Sequence, residues 1–278
     1  MQVLRAEKAG ACYGVQRALD IAKNTLAEKG ETSTLGSLIH NPKVISEFES
    51  MGMHKAESID EISTDSVVIR SHGITPEIRG QLNALDLDLI DATCPHVLRA
   101  QKAASELARE GLVVIVVGED GHPEVEGLTG CAREQQASVH VVSEPTDLPT
   151  DLPDKVGIVV QTTQTRASLE RIVDALSVRG ISFVLKDTIC SATKKRQDAA
   201  AALAKRVDAM VVIGGRNSSN TTRLAEICMD ICPRTIHIED ISEININNLS
   251  DVDIVGVSAG ASTPENQIEE VVDFLRSL

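Results

Sequence analysis

The chain has 278 residues, 42% hydrophobic and 24% charged, with a net charge of −14, one Tyr, three Phe and no Trp. This length allows a sizeable aliphatic core; the negative charge argues against nonspecific binding to DNA or anionic membranes, and the scarcity of aromatics removes stacking platforms for single-stranded nucleic acid. No apolar run approaches the roughly 20 residues of a membrane helix, and MQVLRAEKAGACYGV has neither a signal-type apolar core nor a transit-type segment, so a cytoplasmic protein without membrane or nucleic-acid partners is expected.

QVLRA reads as a strand running into Cys12, and the helical YGVQRALDIAKNTLAEKG follows. The turn LIHNP with His40 comes next, then the strand SVVIR (66–70), the turn RSHGITPEI with His72, and the strand LDLI (87–90) leading to Cys94. DATCPHVLRAQKAASELAREG repeats the step from cysteine to helix, and LVVIVV (112–117) then runs into GHPEVEG (121–127), which holds His122, Glu124 and Glu126. The Pro-rich EPTDLPTDLPD (144–154) reads as a surface connection to VGIVV (156–160), the turn QTTQTRASLE with Thr162 and Thr163, and SFVLK (182–186). DTICSATKKRQDAAAALAKRV brings in Cys190, followed by AMVVI (209–213), RNSSNT with Ser218, Ser219 and Asn220, VDIVGV (252–257), SAGASTPENQI with Ser262, and the helix NQIEEVVDFLRSL. Strands apolar on both faces, interleaved with helices, indicate parallel sheets in an α/β protein.

The order repeats. Twenty-eight residues beyond Cys12, Cys94 and Cys190 stand His40, His122 and Ser218, each in a polar turn just past a strand. A second polar turn follows in each unit, at His72, Thr162 and Ser262, and Thr-Pro-Glu recurs at 75–77 and 263–265, with proline suited to a first helical position. Three units are therefore expected, 13–94, 95–187 and 188–278. The first two close on a strand, whereas the third ends on a helix, so its closing strand should be the N-terminal segment 1–12, with residues 2–5 joining the C-terminal sheet. Loops at the carboxyl ends of parallel strands carry ligand sites, and pseudo-threefold packing would bring the cysteines and the six polar turns to one central cavity.

In a reducing compartment the six cysteines are free thiols or metal ligands. Cys131, Cys228 and Cys232 read as small buried hydrophobes. Cys12, Cys94 and Cys190 form either a zinc site with a histidine from His40, His72 or His122, or the three-thiolate part of an iron–sulfur cluster with one iron open to substrate. The histidines, hydroxyls and Asn220 beside helix N-termini suit a diphosphate, and a histidine next to an anion can carry charge near neutral pH. Glu124 is the lone carboxylate in that ring; away from water its pKa should rise, which makes it a candidate general acid. Glu126 reads as solvated or helix-capping.

The set AGACYGV (9–15), LIHNP, RSHG, DATCP, GHPEVEG, QTT (161–163), DTIC, NSSN (217–220) and AGASTP (259–264) resembles, over the whole chain and in order, the 4-hydroxy-3-methylbut-2-enyl diphosphate reductases of the LytB family. The resemblance implies a trefoil-like arrangement of three α/β units around a [4Fe–4S] cluster held by Cys12, Cys94 and Cys190. It implies reductive dehydroxylation of the allylic diphosphate to isopentenyl and dimethylallyl diphosphate, the last step of the methylerythritol phosphate route to isoprenoids. His40, His72, His122, Ser218, Ser219, Asn220 and Ser262 would bind the diphosphate, with Thr163 beside them. Thr162 would lie near the substrate hydroxyl and Glu124 would supply the proton. Ala11, where the family often has Phe, and Gly215-Arg216, where it often has Ser/Thr–Lys, depart from the pattern. Without a GxGxxG or flavin signature, electrons are expected from a flavodoxin or ferredoxin, docking on Arg17, Arg99, Lys102, Lys194, Lys195 and Arg196. The rivals are a zinc-dependent hydrolase or lyase of a phosphorylated substrate, and a protein that only binds metal or diphosphate.

Overall fold

The computed structural model describes residues 1–278. In chain order the elements are β1 (Gln2–Arg5), α1 (Tyr13–Lys29), β2 (Thr32–Leu35), α2 (Pro42–Ser50), β3 (Met53–Ala56), β4 (Ser66–Ile69), α3 (Pro76–Asn83) and β5 (Asp88–Asp91). They continue with α4 (Pro95–Arg109), β6 (Val113–Val117), α5 (Pro123–Arg133), β7 (Val139–Val142), β8 (Lys155–Val160), α6 (Arg166–Val178) and β9 (Ser182–Lys186). The last are α7 (Ser191–Ala204), β10 (Ala209–Ile213), α8 (Ser219–Ile231), β11 (Thr235–Ile238), β12 (Ile254–Ala259) and α9 (Glu265–Ser277). None of the helices is long and apolar enough to cross a membrane.

The strands form three four-stranded sheets, ordered β3-β2-β4-β5, β7-β6-β8-β9 and β11-β10-β12-β1, parallel throughout. The same order recurs three times only because β1 takes the fourth place in the last sheet, with Gln2 opposite Ile254 and Arg5 opposite Val257. The fold class is therefore α/β with three equivalent parallel sheets.

The chain divides into two compact units. The smaller comprises residues 1–16, 39–47 and 191–278, and it contains the sheet closed by β1. The larger comprises residues 17–38 and 48–190, with the other two sheets. Each core is aliphatic, as the missing aromatics require. In the larger unit Val114 to Val117 are fully buried, with Leu107 and Leu128 on one face of the sheet and Leu169 and Ile172 on the other. In the smaller unit Val211, Ile213, Val255 and Val257 meet Ile268 and Leu275 of α9. A central strand buried on both faces favours apolar residues throughout, which is why these runs lack alternation; β2, Thr-Ser-Thr-Leu, is the exception, with its buried hydroxyls bonded to Ser66, Thr64 and the carbonyl of Gly36.

Helix starts follow the local chemistry. Thr75 caps α3 by accepting the amide of Ile78, with Pro76 next, and Thr165 caps α6 through Ser168. At the second Thr-Pro-Glu, Pro264 is itself the cap residue and Glu265 begins α9, one place later than the first copy.

Candidate active site

Every cysteine of the repeated set stands just before a helix that follows a fourth-place strand: Cys12 before α1, Cys94 before α4, Cys190 before α7. Their backbone amides make equivalent bonds. Cys12 donates to the carbonyl of Ala261 at 3.1 Å, Cys94 to Ser71 at 2.9 Å and Cys190 to Thr162 at 3.0 Å. Each bond pins the cysteine to the loop after a third-place strand. Cys12 belongs to the smaller unit, Cys94 and Cys190 to the larger. None of the six cysteines is in a disulfide, but the remaining ones differ in kind. Burial pushes the Cys131 thiol up to about 11 and the Cys228 thiol up to about 12, and Cys232 is buried. Cys228 and Cys232 are small buried hydrophobes, as expected, whereas Cys131 is only half-buried. Each of the repeated three presents a soft thiol on a pinned backbone at a helix N-terminus, a donor type that suits an iron–sulfur cluster.

In the smaller unit the turns after β10 and β12 meet the His40 turn. Ser218 caps α8, its hydroxyl accepting the amide of Thr221, and buried Ser219 and Asn220 occupy the first turn. Asn220 Nδ2 is buried with no hydrogen-bond partner, an amide available to a ligand. Ser262 Oγ donates to the carbonyl of His40 at 2.9 Å. A Cβ on Gly215 would stand 2.8 Å from that same carbonyl, so the departure from the family pattern at 215 matches a close backbone approach. Arg216 reaches outward to the carboxylates of Glu239 and Glu243. Gly214 adopts φ +142°, and its carbonyl contacts His237 Nε2 at 2.8 Å.

In the larger unit His122 caps α5, its Nδ1 accepting the amide of Glu124 at 3.1 Å. The neutral ring then carries its proton on Nε2. Burial, and next the Arg70 guanidinium, hold its pKa down to about 4. Desolvation dominates, so the ring is neutral near neutral pH, and charge on His122 would need the adjacent anion of the sequence-based expectation. The His72 and His122 rings meet edge-on, with centroids 5.6 Å apart.

Glu124 is 1% exposed. The amide of Thr162 donates to its Oε1 at 2.6 Å and the Thr162 hydroxyl to its Oε2 at 2.9 Å. Burial pushes its pKa up to about 7, against the pull of those two donors. Such a carboxyl holds a proton near neutral pH and has a hydroxyl through which to pass it. Thr163 Oγ1 accepts from Gln161 Nε2 at 3.0 Å.

Several neighbours escaped the sequence reading. Gln161 is fully buried, and its Oε1 accepts the amide of Glu119 at 2.9 Å, tying the turn before α5 to the Thr162 turn. Gln101 lies against both Gly73 and Gly127, where an added Cβ would come within 2.9 and 2.6 Å of its Nε2. Arg70 packs on Gly36 and faces Glu126 and Glu57, and burial lowers its pKa. Its place at the end of SVVIR, at the ligand-binding end of a strand, was the available signal. Glu126 is exposed, as expected for a solvated carboxylate. Among the basic residues read as a docking face, Lys194, Lys195, Arg99 and Lys102 are exposed. Arg196 is not: it is buried and donates to the carbonyl of Gly10 at 2.8 Å, so it is removed from that face.

A family model described as LytB protein matches residues 3–276. The 4-hydroxy-3-methylbut-2-enyl diphosphate reductase of Geobacter sulfurreducens is 42% identical over 278 residues, covering 99% of this chain and 97% of its own. The enzyme of the same name from Trichlorobacter lovleyi is 43% identical over 277 residues, covering 99% and 98%. A solved (E)-4-hydroxy-3-methyl-but-2-enyl diphosphate reductase, described as the terminal enzyme of the non-mevalonate pathway, is 39% identical, with TM-score 0.73 and full coverage of both chains. The solved Plasmodium falciparum E-1-hydroxy-2-methyl-but-2-enyl-4-diphosphate reductase is 26% identical, with TM-score 0.91, covering 99% of this chain and 87% of that one. Full-length similarity, three equivalent sheets and three equivalently placed cysteines agree, and the chain belongs to the LytB protein family.

Proposed function

We propose that this chain is a cytoplasmic iron–sulfur reductase that converts 4-hydroxy-3-methylbut-2-enyl diphosphate to isopentenyl and dimethylallyl diphosphate; the reading is supported by full-length relatives named 4-hydroxy-3-methylbut-2-enyl diphosphate reductase. The observation that carries the mechanism is the buried Glu124 carboxyl gripped at both oxygens by Thr162. Cys12, Cys94 and Cys190 would hold one [4Fe–4S] cluster, which supplies the two electrons and a Lewis-acidic iron when bound. His40, His72, His122, Thr163, Ser218, Ser219, Asn220 and Ser262 would bind the diphosphate. His122 enters as a neutral Nε2–H donor, and the arriving anion then favours its protonation.

Two electrons and two protons replace the C–O bond by C–H, and the oxygen leaves as water. Glu124 supplies one proton through the Thr162 hydroxyl: once the carboxyl is protonated the bond between them turns round, Oε2–H donating to Oγ1, whose own proton goes to the departing oxygen. Burial keeps that proton on Glu124 until an acceptor arrives. Electrons come from a flavodoxin or ferredoxin docking on Arg17, Arg99, Lys102, Lys194 and Lys195. The repeated sheet order supports three copies of one unit, 13–94, 95–187 and 188–278, with residues 1–12 completing the third.

Anaerobic purification tests this directly. Brown protein with iron and sulfide that turns over the allylic diphosphate is expected. Colourless protein with one zinc, or holoprotein inert toward that substrate, would reject it in favour of the zinc hydrolase or binding-protein readings.

A further inference from the structure

Three turns of the smaller unit, at His40, Ser218 and Ser262, must share one register to serve one ligand. The bonds that set it run through two side chains with no role so far, Asn41 and Gln267. Asn41 is 1% exposed and Gln267 4% exposed. Asn41 Oδ1 accepts the amides of Lys43 and Val44 at 3.1 and 3.3 Å, capping α2. This fixes the orientation of its amide, so Nδ2 faces away and donates to the carbonyl of Ser262 at 2.9 Å and to Gln267 Oε1 at 3.1 Å. Gln267 is thereby oriented in turn, and its Nε2 donates to the carbonyl of Glu239 at 2.6 Å. The Glu239 carboxylate accepts the backbone amide of Arg216 at 2.6 Å, two residues before Ser218. Ser262 Oγ closes the path onto the His40 carbonyl.

We propose that Asn41 and Gln267 are positioning residues that hold the three diphosphate turns of the smaller unit in register, an inference that rests on assigning those turns to the diphosphate. Neither touches the ligand. Each has every polar atom of its amide bonded to a different turn or helix, so losing one lets two turns drift apart. Lys43, which pairs with Glu270 at 2.8 Å on the same side, is exposed and contributes little.

The test uses the reconstituted holoenzyme, with KM for the allylic diphosphate and Kd for inorganic pyrophosphate as readouts. Gln267→Met, of similar length but without bonds, should raise both about three- to tenfold, the effect of one or two lost buried hydrogen bonds, while kcat and the cluster absorbance stay close to wild type. Asn41→Ala should act in the same direction, and the double variant should be less than multiplicative, because both belong to one path. If Gln267→Met does not accumulate folded, Gln267→Asn serves, since the shorter amide cannot span both partners. A variant with lowered Tm but unchanged KM and Kd would overturn the proposal and leave these residues merely structural. Ser218→Ala separates the two levels. If it weakens pyrophosphate binding while Gln267→Met does not, only the positioning role fails; if wild type binds no pyrophosphate, the diphosphate assignment fails with it.

Discussion

Thr162 holds Glu124 at both carboxylate oxygens, Oε1 by its backbone amide at 2.6 Å and Oε2 by its hydroxyl at 2.9 Å. The same residue offers its carbonyl to the amide of Cys190 at 3.0 Å. One residue after β8 thus joins the candidate acid to a candidate cluster ligand. The two donors draw the Glu124 pKa down while burial drives it up, and burial wins, leaving it at about 7.

Replacing Glu124 by Gln keeps the shape and removes the acidic proton. Turnover should fall by about 10²- to 10⁴-fold, the span of a general acid, with pyrophosphate affinity within about twofold of wild type on the same uniform-binding reasoning. Turnover above a tenth of wild type would exclude Glu124 as the acid. With its pKa at about 7, kcat for wild type should be level on the acid side and decline above neutrality.

Thr162→Val deletes the hydroxyl and keeps the amide bond. The Glu124 pKa should move further up, since a donor to the charged form is lost, and turnover should drop because the relay is cut. Thr162→Ser should restore most of the rate. Equal impairment of both variants would point to packing rather than proton transfer.

Stability against pH follows from opposite shifts. Glu124 binds its proton more tightly in the folded state than its ordinary 4.5, so its contribution falls as pH rises from about 4.5 to about 7. His122 binds its proton less tightly than its ordinary 6.5, so its contribution rises with pH between about 4 and 6.5. Each amounts to about 3 kcal/mol and the two nearly cancel. Denaturant titrations of Glu124→Gln should therefore show stability climbing from pH 4 to 6.5 more steeply than in wild type. Parallel profiles would reject one of the two shifts.

Gly127, the last residue of GHPEVEG, leaves room for Gln101. Gly127→Ala should destabilise the protein by about 1–3 kcal/mol through overpacking. In a Gln101→Ala background the same change should become neutral or stabilise by up to about 1 kcal/mol, the ordinary gain of alanine over glycine in a helix. Thermal unfolding of the four proteins reads the sign.

Charge reversal at the exposed Lys194 and Lys195 should weaken reduction by a flavodoxin or ferredoxin and spare turnover with a small-molecule reductant. Equal loss in both assays would remove the docking role, and insensitivity to ionic strength would argue the same way.

The α/β class, the threefold repeat and the N-terminal strand as the closing strand of the last sheet were all legible in the chain order, because both-face burial forces uninterrupted Val/Ile runs and the repeat leaves one strand unaccounted for. The candidate site residues were marked by their positions too, since a cysteine, a histidine or a carboxylate just past a buried strand stands where parallel sheets carry ligands. The protonation states were not. His122 and Glu124 take theirs from desolvation, which depends on how deeply the fold encloses them. Nor was Arg196 distinguishable from Lys194 and Lys195, because only the packed helix decides which cation turns inward to the carbonyl of Gly10. Asn41, Gln101, Gln161 and Gln267 carry no charge or metal affinity, and the motifs LIHNP and QTT that contain Asn41 and Gln161 give them no role; their roles come from which carbonyls and amides lie within 3 Å or so. Sequence by itself determined the periodicity and the reactive groups; tertiary structure decided their electrostatics and their positioning partners, since solvent exclusion and hydrogen-bond geometry exist only once the chain is folded.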